Sequence, residues 1–567
     1  MDFETTTDEN DCRVWAWGCW NIYTQEAFTG SDIETFMDFL DRDNCIGYFH
    51  NLKFDSQFII WWLLNNGYTF TENPKNPKEF FYLISDMGIF YSGMIISPSG
   101  KICTLYDSFK KIPLAVRDIP AAYGLKIEKT KIEYTAKREK GYQITEQEQQ
   151  YLINDIKIPA LALKQHFDNG LKKMTSPADA LAYYKNLIGD NFEKWFPVIP
   201  QEYDDDIRLA YKGGMVYVNK NIIEKDIGKG ASYDVNSMYT WASNLPLPVG
   251  MPIPYVGKYV EDKTHPFYIQ HIYTMFKVKE GYIPTIQIKH NPLYCYNEYI
   301  EESDGYVDLY LTSIDLKLFL DHYDIADIEY IDGYKFEKAE NVFTEYNTYW
   351  YNKKKTAKHG ERNVAKLMLN SLYGKFGKRT RMYSKRPYLD EDNIVRYEKY
   401  KEETVDPIYT AVAAFITSYA RDNIARTAQK LGGTKEDSYF LYMDTDSVHI
   451  KYLPEETVAK MINVSQTELG YFKKEYEFNN ARYVRQKCYI EQYSPEYVKE
   501  KADYDELGNR FIYKDEYVKK CSGMTKQIKD IITYDEFRSG YVIEGVKLRT
   551  KNVIGGCILC PTPFSIK

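Results

Sequence analysis

The chain has 567 residues, a mass of 66.7 kDa and a net charge of -8, which is room for two or more domains with ample cores. Nine scattered cysteines and an opening without a basic-then-apolar leader exclude a disulfide-built secreted scaffold and imply a reducing compartment. No run approaches the roughly 20 apolar residues needed to span a bilayer, and the 54 tyrosines suit base stacking and a large core equally.

In chain order, Asp2-Phe3-Glu4-Thr5 leads into the strand-like Val14-Trp15-Ala16-Trp17, and Ile46-Gly47-Tyr48-Phe49 runs into His50-Asn51-Leu52-Lys53-Phe54-Asp55. Helical pattern follows over Phe58 to Asn65, and from Thr145 to Gly170, where Thr145 and Glu148 make a capping box. Asp2 and Glu4 alternate on one strand face, while Tyr151 and Asp155 share a helix face. Each acid alone reads as a surface carboxylate. Together Asp2, Glu4, Asp55 and Asp155 can bind two metal ions, with the Tyr151 hydroxyl orienting water toward a phosphodiester. Because Asp2 follows Met1 directly, it is expected at a frayed strand end.

Thr175-Ser176-Pro177 reads as a domain boundary, with strands rich in Tyr, Val and Ile expected beyond it. Within Gly230 to Tyr239, Asp234 ends a strand-like run and begins a turn. Residues 246 to 341 carry many Pro, Gly and Tyr and short strand-like runs, which suggests an inserted subdomain. From Lys353 to Arg386 twelve Lys or Arg stand against one acid, Glu361, a local basic surface in an acidic chain. Within it, Val364 to Gly374 reads as a helix capped by its glycine, with Lys366, Asn370 and Tyr373 on one face. An irregular, basic, Pro-containing segment spans 378 to 407. Two β-rich runs then flank Asp444-Thr445-Asp446, a hairpin with carboxylates at its tip. Two carboxylates from separate strands can hold two Mg²⁺ ions roughly 3.5–4 Å apart for nucleotidyl transfer. Cys557-x2-Cys560 lacks a second pair and reads as free thiols, and there is no Gly-x4-Gly-Lys or His-Glu-x2-His motif.

Asp234-x2-Ser237-x-Tyr239, Lys366-x3-Asn370-Ser371-x-Tyr373-Gly374 and Tyr442-x-Asp444-Thr445-Asp446-Ser447, in that order, closely resemble the three polymerase motifs of family B DNA polymerases. Tyr211-x-Gly213-Gly214, Thr417 with Arg421, and Lys487-x-Tyr489 resemble the protein-primed branch found in small tailed bacteriophages, and the likeness runs almost end to end. It implies an α/β (α+β) chain: an RNase H-like 3′→5′ exonuclease domain over 1–174, then a right-hand polymerase domain over 175–567. Within the latter it implies a palm at 175–245 and 408–521, insertions at 246–341 and 378–407, fingers at 342–377 and a thumb at 522–567.

By the same resemblance Asp234 and Asp446 are the main metal ligands, with Asp444 supporting the metal site and the primer end. Tyr239 packs under the sugar and rejects a 2′-hydroxyl, Tyr373 stacks near the incoming nucleotide, and Lys366 binds its phosphates; Asn370 shares that nucleotide-facing stripe. Lys487 and Tyr489 hold the primer, Tyr211, Gly213 and Gly214 admit the template backbone, and Thr417 and Arg421 belong to the DNA-binding set. In the exonuclease Asp2, Glu4, Asp55 and Asp155 are the metal ligands, with Tyr151 catalytic and Asn51, Phe54 and Ser108 on the frayed single strand. His50 is equally a strand contact or a structural histidine. Two Mg²⁺ ions per site are implied, with Mn²⁺ able to substitute, together with primer-template DNA, deoxynucleoside triphosphates and a terminal priming protein. The chain is expected to be a monomer in the cytoplasm of a bacterial host, without a membrane. Thr240 stands where the family usually has proline, so a less rigid turn is expected there. The competing readings are a stand-alone 3′→5′ exonuclease with a DNA-binding extension and a non-enzymatic DNA-binding protein.

Overall fold

A computed structural model describes residues 1–127, 132–133, 136–287, 299–500 and 516–567. The parts of the expected first insertion at 288–298 and of the expected palm at 501–515 lie outside the described residues. Two sheets build the N-terminal region: an antiparallel one of Asp2–Thr5, Val14–Trp20 and Ala27–Gly30, and a five-stranded mixed one in which Cys45–Phe49 runs parallel to Ile102–Asp107. Most of Val14–Trp20 is buried on both faces, so it reads as a continuous apolar run rather than an alternating one. The helix Glu146–Asp168 crosses this strand and starts with the expected capping box at Thr145 and Glu148.

The strand terminus is anchored, which corrects the expectation of fraying. The Met1 ammonium donates to the Tyr48 carbonyl at 2.7 Å, and Asp2 is in register with Gly18. The boundary at Thr175 is followed by helices, Ser176–Ile188, Asn191–Trp195 and Gln201–Leu209, rather than by strands. Thr175 accepts from the Ala178 amide as an N-cap, and Pro177 sits in the first turn, where its missing N–H costs nothing. The buried Asp179 carboxylate pairs with the Lys111 ammonium, which ties this helix to the N-terminal domain.

An antiparallel sheet carries the second half of the chain, in the order Tyr517–Lys520, Cys488–Tyr493, Phe472–Arg485, Gly230–Val235, Ser447–Lys451, Phe440–Asp444 and Val216–Val218; the short Asp226–Ile227 pairs beside Phe472–Arg485. The helix Thr410–Lys430, rich in alanine and buried along most of its length, packs behind it. Residues between 247 and 339 form a sheet of their own, ordered Leu247–Val256, Tyr323–Ala339, Phe267–Val278 and Val307–Thr312.

The segment read as irregular at 378–407 is a regular β-hairpin, Arg381–Leu389 with Val395–Thr404. Pro387 misled that expectation; in a two-stranded ribbon a proline's missing donor can face solvent. The hairpin leans on the N-terminal domain. The Trp61 indole donates to the Asn393 carbonyl at 3.0 Å, and the Gln57 side-chain oxygen accepts from Tyr397 at 2.7 Å and from Asn552 at 2.8 Å. Gln57 therefore joins the N-terminal domain, this hairpin and the terminal hairpin Val542–Val553/Gly556–Ser565. The three share one apolar cluster that includes Phe58, Val395, Val553 and Ile558.

Candidate active site

Asp234 stands across from Ser447, and Asp444 closes the neighbouring strand, so the acids of two motifs meet at one end of the sheet. At the tip the Asp446 amide donates to the Asp444 carbonyl at 2.7 Å around Thr445, whose φ is +63°. That is a γ-turn with its central residue in the left-handed region, a strained arrangement held by its neighbours. The Thr445 amide donates to the Met215 carbonyl, and Gly214 is glycine because a Cβ there would lie 2.7 Å from Thr445 Cγ2. Template approach, the expected reason for that glycine, is thus accompanied by a packing reason inside the protein.

The carboxylates are crowded. Burial, then the charges of Asp446 and Glu475, push the Asp234 carboxyl up to about 8 against the partial relief of Lys354 and Lys366. Asp446 is raised by burial and by Asp444. Such a donor set suits divalent cations, which would relieve the repulsion that the protein leaves uncompensated. Asp444 has partners the other two lack: the Tyr442 hydroxyl donates to it at 3.1 Å, and the Lys487 ammonium lies 3.1 Å away. Lys487 sits at φ +53° in the tight turn between two strands, and its amide donates to the same tyrosine at 3.2 Å.

Facing the acids, the helix runs from His359 to Phe376, through Gly374 and up to Gly377, so the expected glycine cap moves by one turn. A Cβ at Gly377 would run into the Tyr211 ring, which explains why that position is glycine. Lys366 and Asn370 are exposed, and Tyr373 stacks on Tyr239 with ring centroids 4.3 Å apart and planes 19° from parallel. Thr240 lies inside the helix Met238–Ser243, with its carbonyl accepting from Ser243 at 2.9 Å, so that position is fastened rather than loose.

Two sequence expectations for DNA contact change. Thr417 is buried and spends its hydroxyl on the Ala413 and Ala414 carbonyls. Arg421 is buried too, forked onto Asp315 at 3.1 and 2.6 Å and donating to the Lys212 and Gly213 carbonyls at 2.7 and 2.9 Å. Burial alone would raise the Asp315 carboxyl, but the Arg421 charge beside it holds it below its ordinary range. Arg421 therefore shapes the Tyr211-to-Gly214 loop from behind. Tyr489 is mostly buried against the Tyr442 ring, 5.0 Å between centroids. Lys354 and Glu475 were missed. Lys354 hides in a run of three lysines, yet its ammonium reaches the Ser237 hydroxyl at 3.4 Å, and Glu475, on the strand next to Asp234, accepts from Ser232 at 3.3 Å.

In the N-terminal domain Asp2, Glu4 and Asp155 offer carboxylate oxygens within 4.8 Å of one another, a spacing that fits a metal ion. Asp55 is adjacent: it accepts from the Phe3 amide at 3.3 Å, and burial, then the charge of Asp2, raises its carboxyl well above the ordinary range. Tyr151 is buried one turn before Asp155. A cleft of about 760 Å³ opens beside Asp2 and Asp155, lined also by Tyr23, Tyr48, His50 and Lys172. Asn51 is exposed at φ +75° and Phe54 is half-buried at the start of the helix Leu52–Asn65, both free to meet a strand. Ser108 is not: it is buried, donating to the Phe49 carbonyl at 3.0 Å and bonded to His50 at 2.9 Å. His50 also bonds the Leu114 carbonyl at 2.7 Å, which favours its structural reading.

Comparison with known proteins gives one consistent result. Residues 131–463 match the family model of DNA polymerase type B, organellar and viral. The DNA polymerases of Bacillus phage phi29 and Streptococcus phage Cp-1 are 40% and 32% identical to the chain, each alignment covering 100% of it and 98% of the relative. Among solved structures, phi29 DNA polymerase in an orthorhombic crystal form superposes with a TM-score of 0.92, and the same enzyme with primer-template DNA and incoming nucleotides with 0.90. Both are 38% identical, covering 100% of this chain and 99% of theirs. Among the described residues no helix is long and apolar enough to cross a membrane.

Proposed function

The chain belongs to the type B DNA polymerases, organellar and viral, and on that premise we propose that it copies a phage genome from a protein primer, proofreads with its N-terminal domain and displaces the strand ahead. The observation that carries the polymerase reading is the meeting of Asp234, Asp444 and Asp446 under the stacked Tyr239 and Tyr373. The stack makes a flat floor for a sugar and base, with Tyr239 positioned to exclude a 2′-hydroxyl. Lys354 and Lys366 supply cations for the triphosphate, and Lys487 restrains Asp444 near the primer end. Members of the family depend on divalent metal; when held by Asp234 and Asp446, two Mg²⁺ ions would supply an activated 3′-hydroxyl and neutralise the leaving pyrophosphate.

For proofreading, Asp2, Glu4 and Asp155 are the metal-holding set, with Asp55 beside them. Tyr151, one turn before Asp155 on the same helix, would orient the attacking water with its hydroxyl. Phe54 and Asn51 would receive the frayed strand. Strand displacement is assigned to the hairpin Arg381–Thr404, which bridges from the second half of the chain to the N-terminal domain through Trp61 and Gln57 and would part the duplex ahead of the polymerase acids. Each base-pair step costs only about 1.4 kcal/mol of stacking, within reach of nucleotide addition.

A primed template with Mg²⁺ and four deoxynucleotides tests the central claim: extension is expected, and degradation alone would restore the stand-alone exonuclease. With the phage's priming protein and one labelled deoxynucleotide, a covalent protein–nucleotide adduct is expected. Removing 378–407 should preserve copying of single-stranded template and stall it at a downstream duplex; equal progress through duplex would remove the displacement claim.

A further inference from the structure

Cys488 and Cys521 have no part in the chemistry above, yet they face each other at its edge. Strand Cys488–Tyr493 pairs antiparallel with Tyr517–Lys520 in the register Tyr489 to Lys520, and one further step brings Cys488 opposite Cys521. Directly opposed residues of antiparallel strands have Cα atoms roughly 4.5–5.5 Å apart, inside the range of about 4.4–6.8 Å that a disulfide spans. The opposed thiols are near enough for each to shift the other's ionisation, Cys488 upward and Cys521 downward. Cys488 is buried, immediately after Lys487, which reaches Asp444; Cys521 is half-buried and opens onto the exposed Ser522 and Gly523. Both pack into the apolar cluster of Val484, Ile490, Ile528, Phe537 and Phe564, which joins the main sheet to the C-terminal region.

We propose that Cys488 and Cys521 are a peroxide-sensitive pair whose disulfide pins the C-terminal region to the Lys487 turn and reversibly slows primer extension. The Cys488 thiol beside it, together with the positive charges of Arg485 and Lys547, lowers the Cys521 thiol to about 7 despite burial, so its thiolate is available near neutral pH. That thiolate attacks a peroxide oxygen, forming a sulfenic acid and releasing hydroxide. The Cys488 thiol then attacks the sulfenic sulfur, the S–S bond forms and water leaves. The two thiols lose two electrons in all, and the peroxide becomes two waters. The bond shortens the span between the strands at the residue next to Lys487, whose left-handed backbone leaves little room to adjust.

The test uses the full chain treated with dilute hydrogen peroxide, then alkylated and peptide-mapped without reductant, alongside primer extension before and after dithiothreitol. A Cys488–Cys521 cross-linked peptide is expected, with extension falling several-fold and returning on reduction. Cys521→Ser should keep its reduced-state rate and lose the reversible response, and Cys488→Ala should do the same by mapping. Full alkylation of both thiols after peroxide would overturn the proposal. So would cross-links confined to Cys45–Cys103 or Cys12–Cys557, or an unchanged peroxide response in Cys521→Ser.

Discussion

The two acidic sites solve the same problem in opposite surroundings. In the N-terminal domain a strand and two helices converge, and Glu4, Asp55 and Asp155 keep only 6%, 3% and 4% of their surface in solvent. In the second half the acids come from neighbouring strands of one sheet, remain half-exposed, and are ringed by Lys354, Lys366 and Lys487. A site that only cuts can bury most of its acids and keep one cleft for entry, here beside Asp2 and Asp155. One that must admit and release a triphosphate needs mobile cations at its rim and an open face.

If the sites are this separate, they break independently, and this is the largest expected effect. Asp446→Ala should lower extension by on the order of 10³ while single-strand degradation continues; Asp155→Ala should do the reverse. Loss of both activities in either variant, with melting unchanged, would mean one site and not two. Next come the neighbours of the polymerase acids. Tyr239→Val should raise ribonucleotide use relative to deoxynucleotide use by on the order of 10², and it should also loosen Tyr373, its stacking partner. Unchanged sugar selectivity would remove Tyr239 from that role. Lys354→Ala should raise the KM for deoxynucleotides roughly 10–100-fold, the worth of one charge-assisted contact, and leave degradation alone. An equal effect on both activities would show that Lys354 supports the fold rather than the nucleotide.

Legibility in the sequence followed locality. Asp234, the stripe Lys366-Asn370-Tyr373 and the Asp444-Thr445-Asp446 tip were visible because spacing of a few residues fixes which face a side chain takes. The capping box at Thr145 was equally local. Lys354 and Glu475 were not visible, since nothing near them in the chain marks them; only the pairing of Phe472–Arg485 beside Gly230–Val235 brings Glu475 to Asp234. Ser108, Thr417 and Arg421 were assigned to DNA contact by resemblance, and their burial was not legible. A polar residue that shapes a loop from behind and one that touches the ligand look alike in sequence. The basic segment 378–407 was read as irregular because its charges and Pro387 masked the strand alternation.

The smallest effect concerns stability, and it tells the two sites apart without any assay of activity. In the metal-free protein the Asp234 carboxyl sits at about 8, against about 3.9 in an unfolded chain. The folded state therefore keeps a proton that the unfolded state has already released. Its contribution is complete below about pH 4 and drains away as pH rises through 8. Solvent still reaches the group, so screening should hold the effect to roughly 1 kcal/mol, or about 1 °C in melting temperature for a chain of this size. In chelator, melting of the wild type should fall between pH 5 and 9, and Mg²⁺ should restore more of it at high pH than at low, since ionised carboxylates bind the cation. Asp55 is raised as well, by burial and by Asp2, so the slope has two sources. Asp234→Asn, which cannot ionise, should flatten the polymerase share, and Asp55→Asn the exonuclease share. A wild-type slope retained in full by Asp234→Asn would place the electrostatic pressure in the N-terminal site alone, and the crowding at Asp234 would then be relieved by its lysines.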